Sequence, residues 1–286
     1  MDPKAIDLYN DYIHGDLPRR GFLKKLAGIA GGAAAASALL PLLEPNYAYG
    51  QQIAEDDQRL ETARVAYPGS DGPVRGYLAK PAGADKALPG ILVIHENRGL
   101  NAHIEDVARR AALAGYVALA PDGLTYAGGA PVDQEAARDL FGNSDRKRIT
   151  GDVIAGVPYL ADREDCTGRV GTVGFCYGGG VSLLCAAREA ATAASVCFYG
   201  RPLGADNIAT VNIPLMMHYA GKDSRVNQTI PEFRTLLDEH QVAYSLHMYP
   251  GTGHGFHNDS SEARYDREAA TLAWKRTMGF FDNYLG

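Results

Sequence analysis

A cysteine in a glycine-rich turn is the residue whose position most clearly predicts chemistry. The segment 174–179 reads Gly-Phe-Cys-Tyr-Gly-Gly, follows an apolar run and precedes a helical pattern. Such a turn holds its central residue in strained backbone geometry and points the side chain into a cleft. The helix N-terminus that follows favours the thiolate, the nucleophilic form of cysteine. Cys176 is therefore the predicted nucleophile rather than a buried structural cysteine, and the amide of Tyr177 is a candidate oxyanion donor.

An acid and a base follow the cysteine along the chain. Asp223 comes just after the apolar run 213–219, and His254 lies in the segment 251–256, Gly-Thr-Gly-His-Gly-Phe. In sites with this chain order the histidine takes the proton of the nucleophile while the carboxylate orients the imidazole ring. The sequence therefore predicts that Cys176, Asp223 and His254 act together.

The remaining histidines offer weaker alternatives. His257 is a rival base but lacks the flanking glycines of His254, and His218 is expected to be a strand-end histidine. No third ligand with suitable spacing joins His254 and His257, and residues 95–99 do not form a His-Glu-x-x-His pattern, so we expect no metal. The glycine pattern at 174–180 has no acidic ribose partner at the usual spacing. The predicted protein has no cofactor.

A second polar group follows the first strand of the predicted core. Residues 95–99 read His-Glu-Asn-Arg-Gly and come directly after the apolar run 91–94. This loop normally supplies the other oxyanion amide, for which Asn97 is the candidate. Glu96 is expected beside the cleft, where a carboxylate can hold the proton of a thiol. A solvated loop glutamate is the alternative.

Alternating strand and helix patterns must position these residues. Segments 61–67 and 74–79 flank a turn rich in proline and glycine and predict an antiparallel hairpin. Apolar runs typical of strands buried on both faces lie at 90–95, 116–120, 170–175, 194–199, 213–219 and 244–249. Helical patterns lie at 102–114, 133–140, 145–162, 178–190, 229–240 and 262–284. The sequence predicts one α/β domain over 51–286 with a mainly parallel, doubly covered sheet.

The first fifty residues have the features of an export signal. Residues 18–25 read Pro-Arg-Arg-Gly-Phe-Leu-Lys-Lys, and a weakly hydrophobic stretch rich in alanine and glycine extends from 26 to 43. The pair Arg19-Arg20, followed by Phe-Leu-Lys after one further residue, resembles a twin-arginine signal. The expected partner is the twin-arginine export machinery, and the expected location is the periplasm.

Small residues near position 50 suggest where this signal is removed. Ala48 and Gly50 stand at −3 and −1 of a possible cleavage before Gln51, with Asn46 and Ala48 as a second choice. An uncleaved signal would act as a membrane anchor, and a buried helix is the remaining alternative.

Composition limits the class of protein. The chain has 286 residues, 28 basic and 34 acidic side chains, a net charge of −6 and 46% hydrophobic residues, which is ordinary for a globular protein. An acidic chain without a cluster of lysine and arginine lacks the charge pattern of nucleic-acid binding. Four cysteines without a C-x-x-C spacing exclude a disulfide scaffold and a cysteine zinc or redox motif.

Taken together, the motifs resemble the dienelactone hydrolase family of α/β hydrolases over residues 60–284. The most specific elements are the turn at 174–179, Glu96, and His254 with the Gly-Phe that follows it. The resemblance implies an α/β-hydrolase fold and hydrolysis of an ester or lactone, with Cys176 and Asp223 completing a triad with His254. It also implies that Glu96 pairs with the resting thiol until the carboxylate of the substrate displaces it.

One position departs from the family pattern. The family holds the substrate carboxylate partly with an arginine four residues after the histidine, and this chain has Asn258 there. Arg98 and Arg146 are the candidates to supply the charge instead, although either could be a solvated surface arginine.

The predicted function is hydrolysis of a small ester or lactone through a cysteine acyl intermediate. Two alternatives stay open. One is a hydrolase of thioesters, peptides or phosphoesters on the same scaffold, whose specificity depends on the loops at 122–145 and 200–212. The other is an exported protein that binds a small ligand without catalysis.

Overall fold

The computed structural model describes residues 1–15, 17–47 and 50–286. Within them, eight strands form one sheet in the spatial order β1-β2-β4-β3-β5-β6-β7-β8. The strands are β1 Leu60–Gly69, β2 Gly72–Pro81, β3 Leu88–Ile94, β4 Val117–Pro121, β5 Cys166–Phe175, β6 Thr192–Phe198, β7 Leu215–Ala220 and β8 Tyr244–Tyr249.

The two edge strands at the start of the sheet are antiparallel and the others are parallel. Strands β1 and β2 form the predicted hairpin, with Leu60 opposite Pro81 and Gly69 opposite Gly72. Strand β2 is also antiparallel to β4, whereas strands β3 to β8 run parallel to one another. The predicted α/β-hydrolase architecture is confirmed.

Strand β3 shows why the central strands are continuously apolar. Ile91 and Val93 pack into one hydrophobic cluster, while Leu92 and Ile94 pack into another. Successive side chains of a strand point to opposite faces, so a strand covered on both sides needs apolar residues at every position. All four side chains are fully buried. The sheet therefore directs the ends of its central strands toward one edge, where the loops carry the polar residues.

Nine helices lie within the part of the chain that follows the hairpin. They are α4 Ala102–Leu113, α5 Gln134–Asn143, α6 Arg146–Ile154, α7 Gly156–Ala161, α8 Tyr177–Arg188, α9 Ala205–Ile208, α10 Ser224–Asn227, α11 Ile230–Glu239 and α12 Arg267–Leu285. The single helix predicted over 145–162 is wrong, because the chain breaks it at Ala155. Pro158 has no N–H to donate to the carbonyl of Ile154 and its ring crowds that carbonyl.

The segment before the hairpin also folds into helices. These are α1 Pro3–Ile13, α2 Arg19–Ala30 and α3 Ala33–Leu43. They share a buried cluster in which the rings of Tyr12 and Phe22 stack 4.4 Å apart, and the partly buried Ala263 packs against this cluster. The stretch 26–43 is thus broken at Gly31 and Gly32, whose φ angles are 82° and 148°.

Among the described residues, no single helix is long and apolar enough to cross a membrane. Helices α2 and α3, which are bent by 108° relative to each other, together have the length and composition of a membrane-spanning segment. Ala48, part of both predicted cleavage sites, lies outside the described residues. The export prediction stays a prediction.

Residues just after position 50 are tied to the body of the protein. The amide of Ile53 donates to Asp106 Oδ1 at 2.8 Å, and Arg109 Nε donates to the carbonyl oxygen of Ile53 at 2.9 Å. Asp106 also pairs with Arg110, and the three charged side chains of Asp106, Arg109 and Arg110 are buried on α4. Buried charges of this kind are stabilising only as a complete set, because each ion left alone is expensive.

Candidate active site

Cys176 lies in a tight turn between β5 and α8. Its φ of 53° and ψ of −113° are outside the regions that residues with a side chain normally adopt. The turn is possible because its neighbours are glycines: a Cβ on Gly174 would lie 1.9 Å from the carbonyl oxygen of Gly178. A Cβ on Gly178 would in turn lie 2.4 Å from the carbonyl oxygen of Ile94. Strand, turn and helix therefore meet at backbone distance, as the sequence predicts.

Asp223 and His254 come together from two loops beyond the ends of β7 and β8. His254 Nδ1 and Asp223 Oδ2 are 2.5 Å apart, and both side chains are buried. Asp223 also caps α10, accepting from the amide of Val226 at 3.3 Å. The loops are joined by a backbone hydrogen bond from Lys222 to Thr252 at 2.9 Å. The carboxylate is therefore fixed and orients the histidine ring.

The charges in this pair support each other. Burial acts against the imidazolium of His254, but Cys176 and Asp223 outweigh it and raise the pKa of His254 to about 9. Burial also acts against the charged form of Asp223 and by itself would raise the pKa of the carboxyl group. The hydrogen bond and the charge of His254 outweigh burial and lower this pKa. The geometry favours a protonated His254 beside a carboxylate at neutral pH.

Both candidate oxyanion donors border the cavity at Cys176. Tyr177 is the first residue of α8, and the first amides of a helix have no partner within it. Asn97 lines the same cavity, and its side-chain Nδ2 donates to the carbonyl oxygen of Ile13 at 2.6 Å. Asn97 and Tyr177 thus line the same cavity as Cys176.

Glu96 is buried next to this loop, but its hydrogen-bond partner differs from the one the resemblance implies. Asn258 Nδ2 donates to Glu96 Oε2 at 2.8 Å, and Asn258 is itself fully buried. Among the hydrogen bonds of the described residues, none joins Glu96 to the thiol. The asparagine that replaces the family arginine therefore holds the carboxylate.

The two candidate arginines have different environments. Arg98 is buried, and its Nη2 donates to the hydroxyl of Tyr9 at 3.0 Å. Arg146 is exposed and lines the cavity, with its guanidinium carbon 3.8 Å from the centre of the Phe141 ring and 5.7 Å from that of Tyr177. Of the two arginines, Arg146 lines the cavity at Cys176, whereas Arg98 is not among the described residues that line it.

The cavity at Cys176 is about 800 Å³ in volume and is lined by residues from α1, α5, α8 and the loop after β6. This is within the range of sites for small organic ligands. Tyr199 closes one side. Its φ is 40°, its ring lies 4.9 Å from that of His254, and its buried hydroxyl has no partner among the described residues.

His14 is a site residue that the sequence analysis did not identify. Its Nε2 lies 3.4 Å from Cys176 Sγ and 3.1 Å from His254 Nε2, while its Nδ1 is 2.6 Å from the carbonyl oxygen of Asn10. Burial and the neighbouring His254 hold the pKa of His14 well below its usual value, so the ring is neutral. An N-terminal histidine therefore contacts both the candidate nucleophile and the candidate base.

A signal for this arrangement is present in the sequence. Asp2 caps α1 and Pro3 begins it, and the buried positions Ala5, Leu8 and Tyr12 recur at helical spacing. This pattern predicts an amphipathic helix that needs a surface to cover. It does not indicate which surface.

The rival histidines are used elsewhere. His257 is buried, with its ring 5.0 Å from that of Phe175, and burial holds the pKa of His257 well below its usual value. His218 lies in β7, with Nδ1 2.9 Å from the hydroxyl of Tyr249 and Nε2 3.1 Å from the hydroxyl of Thr277. Among the described residues, neither His218 nor His257 forms a hydrogen bond with Cys176.

The comparisons with known proteins agree with the observed fold. A family model described as dienelactone hydrolase family matches residues 74–285. The chain belongs to the dienelactone hydrolase family. A second, short model, described as YqhI-like, matches residues 1–32 and so covers α1 and α2. Lactone hydrolysis is the reaction class of the family.

Individual relatives cover most of the chain. A Bradyrhizobium protein named as a 2-oxo-3-(5-oxofuran-2-ylidene)propanoate lactonase is 35% identical over 232 residues, which are 73% of this chain and 90% of that protein. A Salmonella typhi protein named as a carboxymethylenebutenolidase is 29% identical over 272 residues, 90% of this chain and 97% of that protein. The crystal structure of a Klebsiella pneumoniae protein named as a dienelactone hydrolase has a TM-score of 0.71 at 26% identity and covers 79% of this chain and 99% of that one. This chain is a hydrolase of that family.

Proposed function

We propose that the chain hydrolyses a small ester or lactone by cysteine acyl transfer, with Cys176 as nucleophile, His254 as base and Asp223 as the residue that orients His254. The observation that carries the proposal is the turn at Cys176, where strained backbone presents the thiol at the mouth of a cavity next to the paired His254 and Asp223. Strain at such a position is typical of a functional site.

The reaction follows from these positions. His254 holds the proton of the thiol and the sulfur attacks the carbonyl carbon, while the amides of Tyr177 and Asn97 donate to the oxyanion. The carbon–oxygen bond of the ester breaks, and the imidazolium returns its proton to the leaving oxygen. Water then attacks the thioester with His254 as base, and the acid is released as the thiol forms again.

The charge of the cavity favours a substrate that carries a carboxylate. Asp139 is the one acidic residue in the described lining. The cationic residues there are Arg19, Arg138, Arg146, Arg201 and Arg225. Arginine binds carboxylates through paired hydrogen bonds. We expect a lactone with a free carboxylate to be preferred over its neutral methyl ester.

The test is hydrolysis by the purified full chain, with a chelator present, of short p-nitrophenyl esters and of a panel of lactones with and without a carboxylate. Cys176→Ala should reduce kcat/KM by about 10³-fold or more, and Cys176→Ser should also reduce it sharply. Cys166→Ala is the matched control, because Cys166 is buried at the start of β5, away from the cavity. Wild-type rates in Cys176→Ala would refute the proposal, and a preference for thioesters, peptides or phosphoesters would support the alternative hydrolase.

Export through the twin-arginine pathway is a separate part of the proposal. Arg19 and Arg20 begin α2, and Arg19 Nε pairs with Glu135 at 2.6 Å. The measurement is the amount and the N-terminal residue of the protein in the periplasmic fraction. A conservative Arg19→Lys, Arg20→Lys double variant should stay inside the cell, because the signal is read as an arginine pair. Equal export of the double variant, or no periplasmic protein in the wild type, would contradict this part.

A further inference from the structure

Three potential ligand atoms meet at one point of the cavity. His14 Nε2, Cys176 Sγ and His254 Nε2 lie within 4.8 Å of one another. They come from α1, from the turn before α8 and from the loop after β8. No two of them are neighbours in sequence, so their meeting is a product of the fold.

The far side of each imidazole ring is already engaged. His14 Nδ1 faces the carbonyl oxygen of Asn10, and His254 Nδ1 faces the carboxylate of Asp223. Both partners are acceptors, so both Nδ1 atoms carry a proton. The neutral ring of His14 directs its Nε2 lone pair inward, and His254 Nε2 does the same once a metal ion displaces its second proton. Holding the remote nitrogen of a histidine through a carboxylate or carbonyl is the arrangement that surrounds metal sites.

The distances suit a tetrahedral metal ion. Bond lengths of about 2.0 Å to nitrogen and about 2.3 Å to sulfur place two ligand nitrogens about 3.3 Å apart and a nitrogen and a sulfur about 3.5 Å apart. The two imidazole nitrogens are 3.1 Å apart, and His14 Nε2 is 3.4 Å from the sulfur. A single proton can join only one pair of these atoms, whereas one cation can accept all three lone pairs. Thiolate and imidazole are both ligands that suit Zn²⁺, and zinc sites are usually tetrahedral.

We propose that His14, Cys176 and His254 bind Zn²⁺, and that this ion holds the N-terminal helix over the cavity and blocks the thiol. Binding displaces one proton, from the thiol or from the imidazolium, and leaves the sulfur as a thiolate bound to the metal. Nucleophile and base are then both coordinated, and neither can act on a substrate. The fourth position of the ion remains for a water molecule.

The surrounding charges indicate reversible binding. The thiolate and the carboxylate of Asp223 offset the two positive charges of the ion. The charges of Arg225 and Arg264, which act on His14, oppose it. We therefore expect a regulatory ion that a chelator removes, and a chain cleaved near residue 50 would lose His14 and release it.

The experiment is a calorimetric titration of the full chain with Zn²⁺, followed by the absorption spectrum with Co²⁺ in its place. We expect one ion per chain, a thiolate-to-cobalt charge-transfer band, and protection of Cys176 from iodoacetamide. His14→Gln should weaken Zn²⁺ binding by about 100-fold or more, since even loss of a group that only supports a ligand costs about 10- to 100-fold. His240→Gln, a substitution of the same type at an exposed helix end, should bind as the wild type does.

The outcomes separate this inference from the proposed hydrolase function, because binding is measured without substrate. No one-to-one binding, or equal affinity in His14→Gln and the wild type, overturns it even if the chain hydrolyses esters. Circular dichroism of His14→Gln checks that the variant is folded. If it is not, Cys176→Ser supplies the second test, since loss of the cobalt charge-transfer band supports a thiolate ligand and its persistence refutes one.

Discussion

The pairing of Asp223 with His254 can be tested by the substitution Asp223→Asn. The side chain keeps its shape, and asparagine also caps helices well, so α10 should keep its N-cap. What the variant loses is the negative charge 2.5 Å from His254 Nδ1. The two side chains are buried, so little solvent screening reduces the effect.

The structure gives the size of the effect. The rise in the pKa of His254 from 6.5 to about 9 is worth about 3 kcal/mol in favour of the imidazolium, and Cys176 and Asp223 together overcome the opposing effect of burial. A hydrogen bond to a charged group contributes about 1.5–3 kcal/mol. Each 1.36 kcal/mol is a factor of ten, so kcat/KM at neutral pH should fall by about 10- to 150-fold.

The pH profile gives a second, independent measure. A raised pKa stabilises the protonated histidine below pH 6.5, and this advantage is lost as the pH passes through about 9. The thiolate and imidazolium form should therefore lose activity near pH 9 in the wild type. In Asp223→Asn the alkaline limb should move down to about 7–8, because the imidazolium has lost a partner.

The assay is kcat/KM for a p-nitrophenyl ester between about pH 5 and about pH 10, with a chelator present. Asp206→Asn is the matched control, since Asp206 is exposed on α9. An unchanged alkaline limb and an unchanged rate in Asp223→Asn would refute the assignment of Asp223 as the partner of His254.

Three further predictions concern stability and are checked by denaturant unfolding. Gly174→Ala should lower the free energy of unfolding by about 3 kcal/mol or more, because its Cβ would overlap the carbonyl oxygen of Gly178. Asn258→Ala should lower it by about 1–3 kcal/mol, since the buried Glu96 loses a donor. Asp106→Asn should lower it by about 3–5 kcal/mol, because the buried Arg109 loses its carboxylate partner and Arg110 loses one of two, keeping Asp259.

Each of these predictions has a control of the same chemical type. Gly142→Ala, within α5, places its Cβ in open space and should not lower the free energy of unfolding. Asn143→Ala and Asp139→Asn alter exposed side chains on or at the end of α5. Equal losses in a test variant and its control would contradict the packing, hydrogen-bond or ion-pair argument for that position.

Local sequence determines the fold and the turn that carries the proposed nucleophile. The hairpin, the apolar strands and the glycine turn at Cys176 depend on residues close together in the chain, and the structure has them at nearly the predicted bounds. Two predicted helices differ more. The helix predicted over 145–162 is divided into α6 and α7, with Pro158 as the local cause, and the helix predicted over 262–284 begins at Arg267. The chain order of Cys176, Asp223 and His254 is likewise visible in the sequence, although the 2.5 Å contact is not.

The contacts that decide the state of the site come from segments far apart in sequence. Asn258 reaches Glu96 across 162 positions, and His14 reaches His254 across 240. The helical pattern of residues 3–13 predicts an apolar face but not the surface that this face covers. The pattern also precedes residues 18–25, which resemble an export signal, so the sequence does not link it to the site. Which side chains meet depends on how distant elements pack, because a short contact requires both backbones to be positioned at once. Thus the sequence determines the residues available for chemistry, and the tertiary structure decides which of them are close enough to act together.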